Sequence, residues 1–572
     1  MNRRQKLILM GLAGLSGLLL ALAHPGWSFD IGFLVWIGFI PLLYILTNPA
    51  REHDRAVMQD CGKKSFFIGF FAGLIYFLII FRWFWSIHPL DTLGIQSKIA
   101  SLVIILIIYA ISCAGMAVFW GLFGMIYGCW LRLARPVPEN NPISNFKNVI
   151  SKLETSLLSA ALFVLLEYAR AYGFGLLWLG SGTLLGPHWT LGNLAYALAG
   201  NNLALRLSSY VGIYGISFVV MFVNSLLLSI LKLRSNKSYL KTGIIIIVVL
   251  ALALTPKLFK PTNLNSNKKI NFAVIQINQP TKILSTPKEI LNTFKEELNL
   301  LKRVAQEHKE SQLIVFPEAS DFFKNLSLFL TGPEVPTYFS NLFKEPRLII
   351  SGARVIDVDG HAYSRVFALD TQKDIIGFYD KRLLTPGGEF LPYPVKLIVN
   401  LLSKIKVSKF GELRELEVGK EKVSTVNYRD QFSAASVVCS EILSPGLVQE
   451  ITQGSDIIIE MASYGIFHGN ATLIRQNLAS AKFRAAENQK PLIAAVNMGL
   501  SYAINSNGSV AKIAPNQAPQ ILTGGLALNP QKSWYNKIGD TSILVGCLVL
   551  AAYSALFSIT KRKLDIRDFA IN

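Results

Sequence analysis

Apolar residues in this chain gather into long blocks over the first 257 positions, then into short blocks set among charged residues, then into one more long block near the end. The long blocks run from Leu7 to Ala23, Ile31 to Leu46, Phe66 to Ile87, Ile99 to Leu131, Ser156 to Leu177, Leu207 to Leu231 and Gly243 to Leu254, with the last from Ser542 to Ile559. Several approach the roughly 20 residues that a helix needs to cross bilayer hydrocarbon. The pattern predicts a multi-pass α-helical membrane bundle of seven spans over residues 1–257, a water-soluble domain over 258–540, and a C-terminal transmembrane helix with a tail over 541–572. Ile99 to Leu131 contains no charge or proline, so it predicts one long tilted span.

The first block follows Arg3, Arg4 and Lys6 and ends in Ala21-Leu22-Ala23, which mimics a signal-peptidase site. We expect it to be retained, because His24-Pro25-Gly26-Trp27 leads at once into the next block and the two read as a helical hairpin.

From about Lys268 to Ser533 the period changes to short β-rich runs alternating with amphipathic helices, the signature of a layered α/β domain. Strands are predicted at Ile270 to Gln276, Leu313 to Phe316, Leu348 to Ser351, Ile375 to Tyr379, Ala434 to Val438, Ile457 to Glu460 and Leu492 to Val496. Most are continuous apolar runs, as expected of strands buried on both faces. Ile290, Leu291, Phe294, Leu298, Leu301 and Ala305 recur at helical spacing, so this helix covers one face of a sheet. Val395, Ile398, Leu401, Leu402 and Ile405 do likewise beside Lys396, Lys404, Lys406 and Lys409, which predicts a basic amphipathic segment suited either to a bilayer interface or to a sheet face.

Hydrophobic residues make up 51% of the 572, too many for an ordinary soluble protein. The net charge of +20 is mostly a topology signal. Arg51, Arg55, Lys63 and Lys64, then Arg132, Arg135, Lys147 and Lys152, then Lys232, Arg234, Lys237 and Lys241, and finally Lys561, Arg562, Lys563 and Arg567 all fall on the amino-terminal side if seven spans precede the domain. Basic loops stay in the cytoplasm. The domain is therefore expected outside the cytoplasmic membrane, and the basic balance is weak evidence for nucleic acid. No zinc-finger spacing, P-loop or dinucleotide fingerprint stands in a convincing context, so no metal or cofactor is implied.

Of the five cysteines, Cys113, Cys129 and Cys547 lie in apolar runs and Cys61 in a short polar loop, which leaves Cys439 without a partner in its own domain. In an oxidising compartment such a thiol points to nucleophilic catalysis, with a core thiol as the bland alternative. Glu318, Lys381 and Cys439 each stand where a predicted strand ends, and open sheets place ligand sites beyond strand ends. Alone, each has an ordinary reading as a satisfied carboxylate, a surface lysine or a buried thiol. Together they offer a general base, a cation and a nucleophile. Ser444-Pro445 predicts a helix start just past Cys439, whose dipole, with Lys381, would favour thiolate. Glu167 and Arg170, three apart in the fifth span, share a helical face and could form an ion pair.

These residues resemble the nitrilase superfamily, with its Glu-Lys-Cys triad on an α-β-β-α sandwich, and more closely the bacterial apolipoprotein N-acyltransferases, in which that domain is inserted between membrane spans. Leu165 to Arg170 and Val211 to Phe218 resemble stretches of that family's bundle. In the domain, Gln276 and Asn278, Phe316-Pro317-Glu318, Lys381 with Pro386-Gly387-Gly388-Glu389, Cys439-Ser440-Glu441, Arg484 to Asn488 and Asn497-Met498-Gly499 fall in family order. The resemblance implies Glu318 as general base, Lys381 as oxyanion stabiliser, Cys439 as acyl-carrying nucleophile, and Glu389 and Glu441 as supporting carboxylates. It also implies a phospholipid acyl donor, diacylglyceryl-modified lipoprotein acceptors, a bilayer around the bundle, and a place in the bacterial inner membrane with the catalytic domain periplasmic. The chain departs from the pattern at Ser440, where an aromatic is usual, at Leu383 and Gly387, in place of histidine and phenylalanine, at Met461-Ala462-Ser463-Tyr464, in place of Asn-Asp-Ala-Trp, and at Ile283 and Leu284, where a tryptophan is expected. A membrane-tethered amidase and a catalytically silent membrane scaffold are the competing readings.

Overall fold

The computed structural model describes residues 3–47, 57–93, 95, 97–133, 142–186, 188–232, 268–281, 285–318, 320–332, 334–402, 415–420 and 424–571. The amino-terminal part is helical: α1 (Arg3–Ala23), α2 (Ile40–Thr47), α3 (Val57–Ile80), α4 (Lys98–Leu133), α5 (Pro142–Leu177) and α6 (Asn202–Leu231). Among the described residues, five helices are long and apolar enough to cross a membrane, namely α1, α3, α4, α5 and α6. The Gly243–Leu254 run lies outside the described residues. The block from Ile31 to Leu46 is interrupted: a 3-10 turn, Gly32–Trp36, precedes the short α2. The break survives among apolar neighbours because Asn224 of α6 serves its backbone, accepting Phe39 N–H at 3.0 Å and donating to Val35 O at 2.9 Å. Irregular backbone at such depth needs this kind of internal partner.

Among the described residues, twelve strands form the domain: β1 (Lys269–Gln276), β2 (Leu313–Val315), β3 (Leu348–Ile356), β4 (Ala362–Asp370), β5 (Ile375–Asp380), β6 (Thr425–Tyr428), β7 (Phe432–Val438), β8 (Ile457–Ser463), β9 (Leu492–Asn497), β10 (Tyr502–Ile504), β11 (Val510–Ile513) and β12 (Gln520–Ala527). They build two six-stranded sheets, ordered β12-β1-β2-β3-β4-β5 and β11-β10-β9-β8-β7-β6. Each sheet has a parallel centre, β1-β2-β3 in one and β7-β8-β9 in the other, flanked by antiparallel strands. Helix Pro287–Glu307 lies over the first sheet, started by a capping box in which Thr286 and Glu289 exchange hydrogen bonds. Its buried face carries Phe294, Leu300, Leu301 and Val304. Helices Pro445–Ile451 and Ala471–Asn488 lie over the second sheet. The layers run helix, sheet, sheet, helix.

Helix Ala471–Asn488 also packs on the bundle, against α6 and the 3-10 turn Leu194–Leu198. Its Gln476 donates to Ile80 O at 3.0 Å. At its other end Glu487 accepts Ile213 N–H at 2.9 Å and sits 2.9 Å from Arg484, both side chains fully buried. The amide of Ile213 is available because α6 breaks at Gly212, whose φ of 63° is cheap for glycine alone and whose missing Cβ admits the Tyr535 ring.

The connection from α5 to α6 is largely buried rather than a simple surface loop. Glu167 and Arg170 hold it: instead of pairing with each other, Glu167 accepts Leu194 N–H at 3.0 Å and Arg170 donates to Leu191 O at 2.5 Å. The same segment reaches the domain, where His188 N–H donates to Ser444 Oγ at 3.2 Å and Thr190 N–H to Leu443 O at 3.3 Å.

Candidate active site

Glu318 follows β2, Lys381 follows β5 and Cys439 follows β7, so one carboxylate comes from the first sheet's centre, the cation from its edge, and the thiol from the second sheet. The structure brings all three together. Lys381 Nζ lies 2.9 Å from Glu318 Oε1 and 2.8 Å from Glu389 Oε1, and the lysine side chain is 1% exposed. Glu389 Oε2 accepts Thr385 N–H at 2.6 Å, which anchors the loop after β5. The Cys439 thiol stands near enough to Glu318, Lys381 and Glu389 to feel the charge of each. Close approach of β3 shapes the carboxylate's seat, since a Cβ on Gly352 would fall 2.8 Å from Glu318 O.

Cys439 itself has φ 48°, a left-handed conformation unusual for a residue with a side chain. Such strain persists only where the surroundings over-determine it. Here the determinant is Glu441, fully buried, which accepts Val438 N–H at 2.8 Å, Arg382 N–H at 2.7 Å and Tyr379 Oη–H at 2.7 Å. One carboxylate thereby ties the strand end before the thiol to the strand end around the cation.

Burial opposes charge on Lys381, but Glu318 and then Glu389 reverse this and hold the ammonium well above the ordinary lysine range. Burial, then the charges of Glu318 and Glu389, push the Cys439 thiol up, with Lys381 opposing. This corrects the thiolate expected from a following helix. A 3-10 turn, Cys439–Leu443, separates the thiol from helix Pro445–Ile451, and Ser444 Oγ is occupied by His188 N–H rather than capping that helix. A neutral thiol beside a carboxylate can lose its proton as it attacks, provided that carboxylate is ionised.

Two departures from the family pattern touch each other: Ser440 Oγ–H donates to Leu383 O, so the small hydroxyl closes the gap between the loops after β7 and β5. Tyr464, in the Met461-to-Tyr464 stretch, is buried and its hydroxyl accepts Asn477 Nδ2–H at 2.7 Å. One contributor escaped the sequence reading. Tyr379, whose hydroxyl donates to Glu441, is legible in principle, because a strand puts positions i and i+2 on one side and so places it with Lys381.

Residues 16–226 match the family described as the apolipoprotein N-acyltransferase N-terminal domain, and residues 271–536 match carbon-nitrogen hydrolase. Along nearly its whole length the chain is similar to the apolipoprotein N-acyltransferases. An apolipoprotein N-acyltransferase of Geobacter metallireducens is 25% identical, with 95% of this chain and 94% of that protein covered. That of Caulobacter vibrioides is 23% identical over 96% and 95%. The carbon-nitrogen hydrolase structure from Helicobacter pylori G27 aligns at 15% identity and a TM-score of 0.33, covering 53% of this chain and 99% of that one. In the Geobacter and Caulobacter relatives of the family, bundle and domain are spanned together.

Proposed function

We propose that this chain is a phospholipid:apolipoprotein N-acyltransferase, which moves an acyl chain through a Cys439 thioester to the α-amino group of an N-terminal diacylglyceryl-cysteine. The observation that carries the reading is the convergence of Glu318, Lys381 and Cys439 at strand ends of the two sheets, in a domain docked on a helical bundle. Glu318 takes the thiol proton as sulfur attacks the phospholipid ester carbonyl. The Lys381 ammonium offsets charge on the carbonyl oxygen as the tetrahedral centre forms. The C–O bond then breaks, Glu318 returns the proton to the leaving lysophospholipid, and a thioester remains. In the second half the lipoprotein amine attacks that thioester, Glu318 accepts its proton, the amide forms and the Cys439 thiol is restored.

Glu389 keeps the ammonium between two carboxylates, and Glu441 holds the strand ends in register. The domain, residues 258–540, lies on the outer side of a bacterial inner membrane, between a seven-span bundle, 1–257, and a C-terminal span and cytoplasmic tail, 541–572. The basic clusters support this orientation.

The test is acyl transfer by Cys439→Ala and Cys439→Ser in the full chain reconstituted with phospholipid. Both should insert normally and lose turnover, and wild type trapped without acceptor should carry a hydroxylamine-labile acyl group on Cys439. Normal turnover by either variant removes Cys439 from the mechanism. Acyl-enzyme that discharges to water but not to a diacylglyceryl-peptide would instead make the protein a membrane-tethered amidase, and no acyl-enzyme at all would leave a silent scaffold.

A further inference from the structure

Arg382, the chain neighbour of Lys381, lines a cavity of about 370 Å³. Neither Glu318, Lys381 nor Cys439 lines it. Besides Arg382, its walls come from Tyr168 and Tyr172 of α5, His188 of the connection to α6, Glu450 of helix Pro445–Ile451, and Asp540 at the start of the C-terminal helix. His188 closes the inner end. That imidazole is 3% exposed, stacks on Tyr172 with centroids 5.1 Å apart and planes 3° from parallel, and leaves Nε2 buried with no hydrogen-bond partner. A buried polar atom without a partner is costly, so an unpartnered nitrogen at a cavity wall marks a place for a polar guest. Gly446 also lines that end, with His188 Cε1 and Asp540 Oδ2 at ordinary contact distance from where a Cβ would stand.

The lining is divided by charge. Arg382 supplies a guanidinium, 3.3 Å from Glu450 Oε2, suited to phosphate oxygens. Glu450 and Asp540 supply two carboxylates, and Tyr168 and Tyr172 supply ring faces, the set that holds an ammonium. An anionic head group would meet both carboxylates, and a bare ammonium would meet the guanidinium. Thr541 and Leu544, in the first turn of the apolar C-terminal helix, also line the cavity, so an apolar helix surface continues from its wall.

We propose that this cavity is a second, non-substrate site for the head group of a phospholipid that carries an ammonium as well as a phosphate, with its chains along the C-terminal helix. The occupant would steady the catalytic strand end, because Arg382 N–H is itself bonded to Glu441. The site does not depend on the acyl-transfer reading.

The experiment is native mass spectrometry of the full-length Cys439→Ala protein, in which no acyl group can move. Ethanolamine and glycerol phospholipids of identical chains are titrated against each other. The ethanolamine lipid should bind about fivefold or more in preference, the scale of one desolvated cation-aromatic or charged contact. Adding Gly446→Phe, which fills the cavity, or Glu450→Gln, at a half-exposed position that a neutral isostere fits, should bring the two lipids to parity. Equal binding in the parent, or an unchanged preference in Glu450→Gln, would overturn the site. Soluble phosphoethanolamine matching the lipid's affinity would overturn the lipid as occupant. Lost preference with acyl-enzyme still forming in the wild-type protein counts against this cavity alone, whereas preference without acyl-enzyme counts against the acyl-transfer reading.

Discussion

Glu441 Oε2 accepts the amide N–H of Val438 at 2.8 Å, one residue before the thiol, while its other oxygen accepts Arg382 N–H at 2.7 Å, one residue past the cation. The first consequence is for Glu441→Gln. Glutamine keeps one carbonyl acceptor but turns an NH2 toward a backbone donor, so one buried N–H loses its partner. Loss of a charged hydrogen bond of this kind costs about 2–3 kcal/mol. Single-turnover acyl-enzyme formation should slow about 30- to 100-fold, with little change in KM, as expected of a positioning residue. Near wild-type rates would show that the loops hold their register without it.

The pH dependence of acylation follows from a neutral thiol at rest. Glu318 must be ionised to act, and burial raises its carboxyl above the ordinary range, with Lys381 pulling down and Glu389 pushing up. The acid limb of kcat/KM for acyl-enzyme formation should therefore lie above the roughly 4.3 of a free glutamate. Glu389→Gln removes a neighbouring negative charge, so the limb should move to lower pH even as the maximal rate falls. A limb that stays in place would mean that another group sets it.

What the sequence discloses follows burial. The centre strands β1, β2, β7, β8 and β9 are largely buried and mostly apolar because both faces are covered, and they read plainly. β4 alternates buried and half-buried positions and carries Ser364 and Arg365, and β11 is exposed along its length, so neither stands out. The run from Ile31 to Leu46 is apolar enough to suggest a span, yet Asn224, distant in sequence, satisfies a break that periodicity cannot detect. At the site, strand ends located Glu318, Lys381 and Cys439. Their charge states depend on burial and on Glu389, which only the folded arrangement supplies.

Glu460 provides a separate test of buried charge. It is fully buried on β8, its Oε2 accepts the Tyr502 hydroxyl at 2.7 Å, and its other oxygen has no hydrogen-bond partner. Burial raises its carboxyl to about 8, with the Tyr502 bond opposing. Between the unfolded value and about 8, the unfolded chain has released this proton and the folded one retains it. Stability from this group is therefore complete at acid pH and lost as pH rises toward 8. Glu460→Gln, which keeps an acceptor for Tyr502 and cannot ionise, should gain in thermal midpoint relative to wild type between pH 5.5 and pH 8. A constant difference across that range would show that Glu460 does not titrate there.

The docking of domain on bundle rests on Glu487, which serves both Arg484 and the free amide of Ile213 at the break in α6. Glu487→Ala leaves a buried guanidinium without its carboxylate and a buried N–H without its acceptor, a loss of about 3–5 kcal/mol. Folded yield in detergent, read by size exclusion, should drop sharply. The double variant Arg484→Met with Glu487→Gln removes both charges and keeps an acceptor for Ile213, because breaking a buried pair costs more than replacing it. Its yield should exceed that of Glu487→Ala. If the double variant is worse, the pair contributes through its charge; if Glu487→Ala matches wild type, the domain is held on the bundle by its other contacts, such as Gln476 to Ile80.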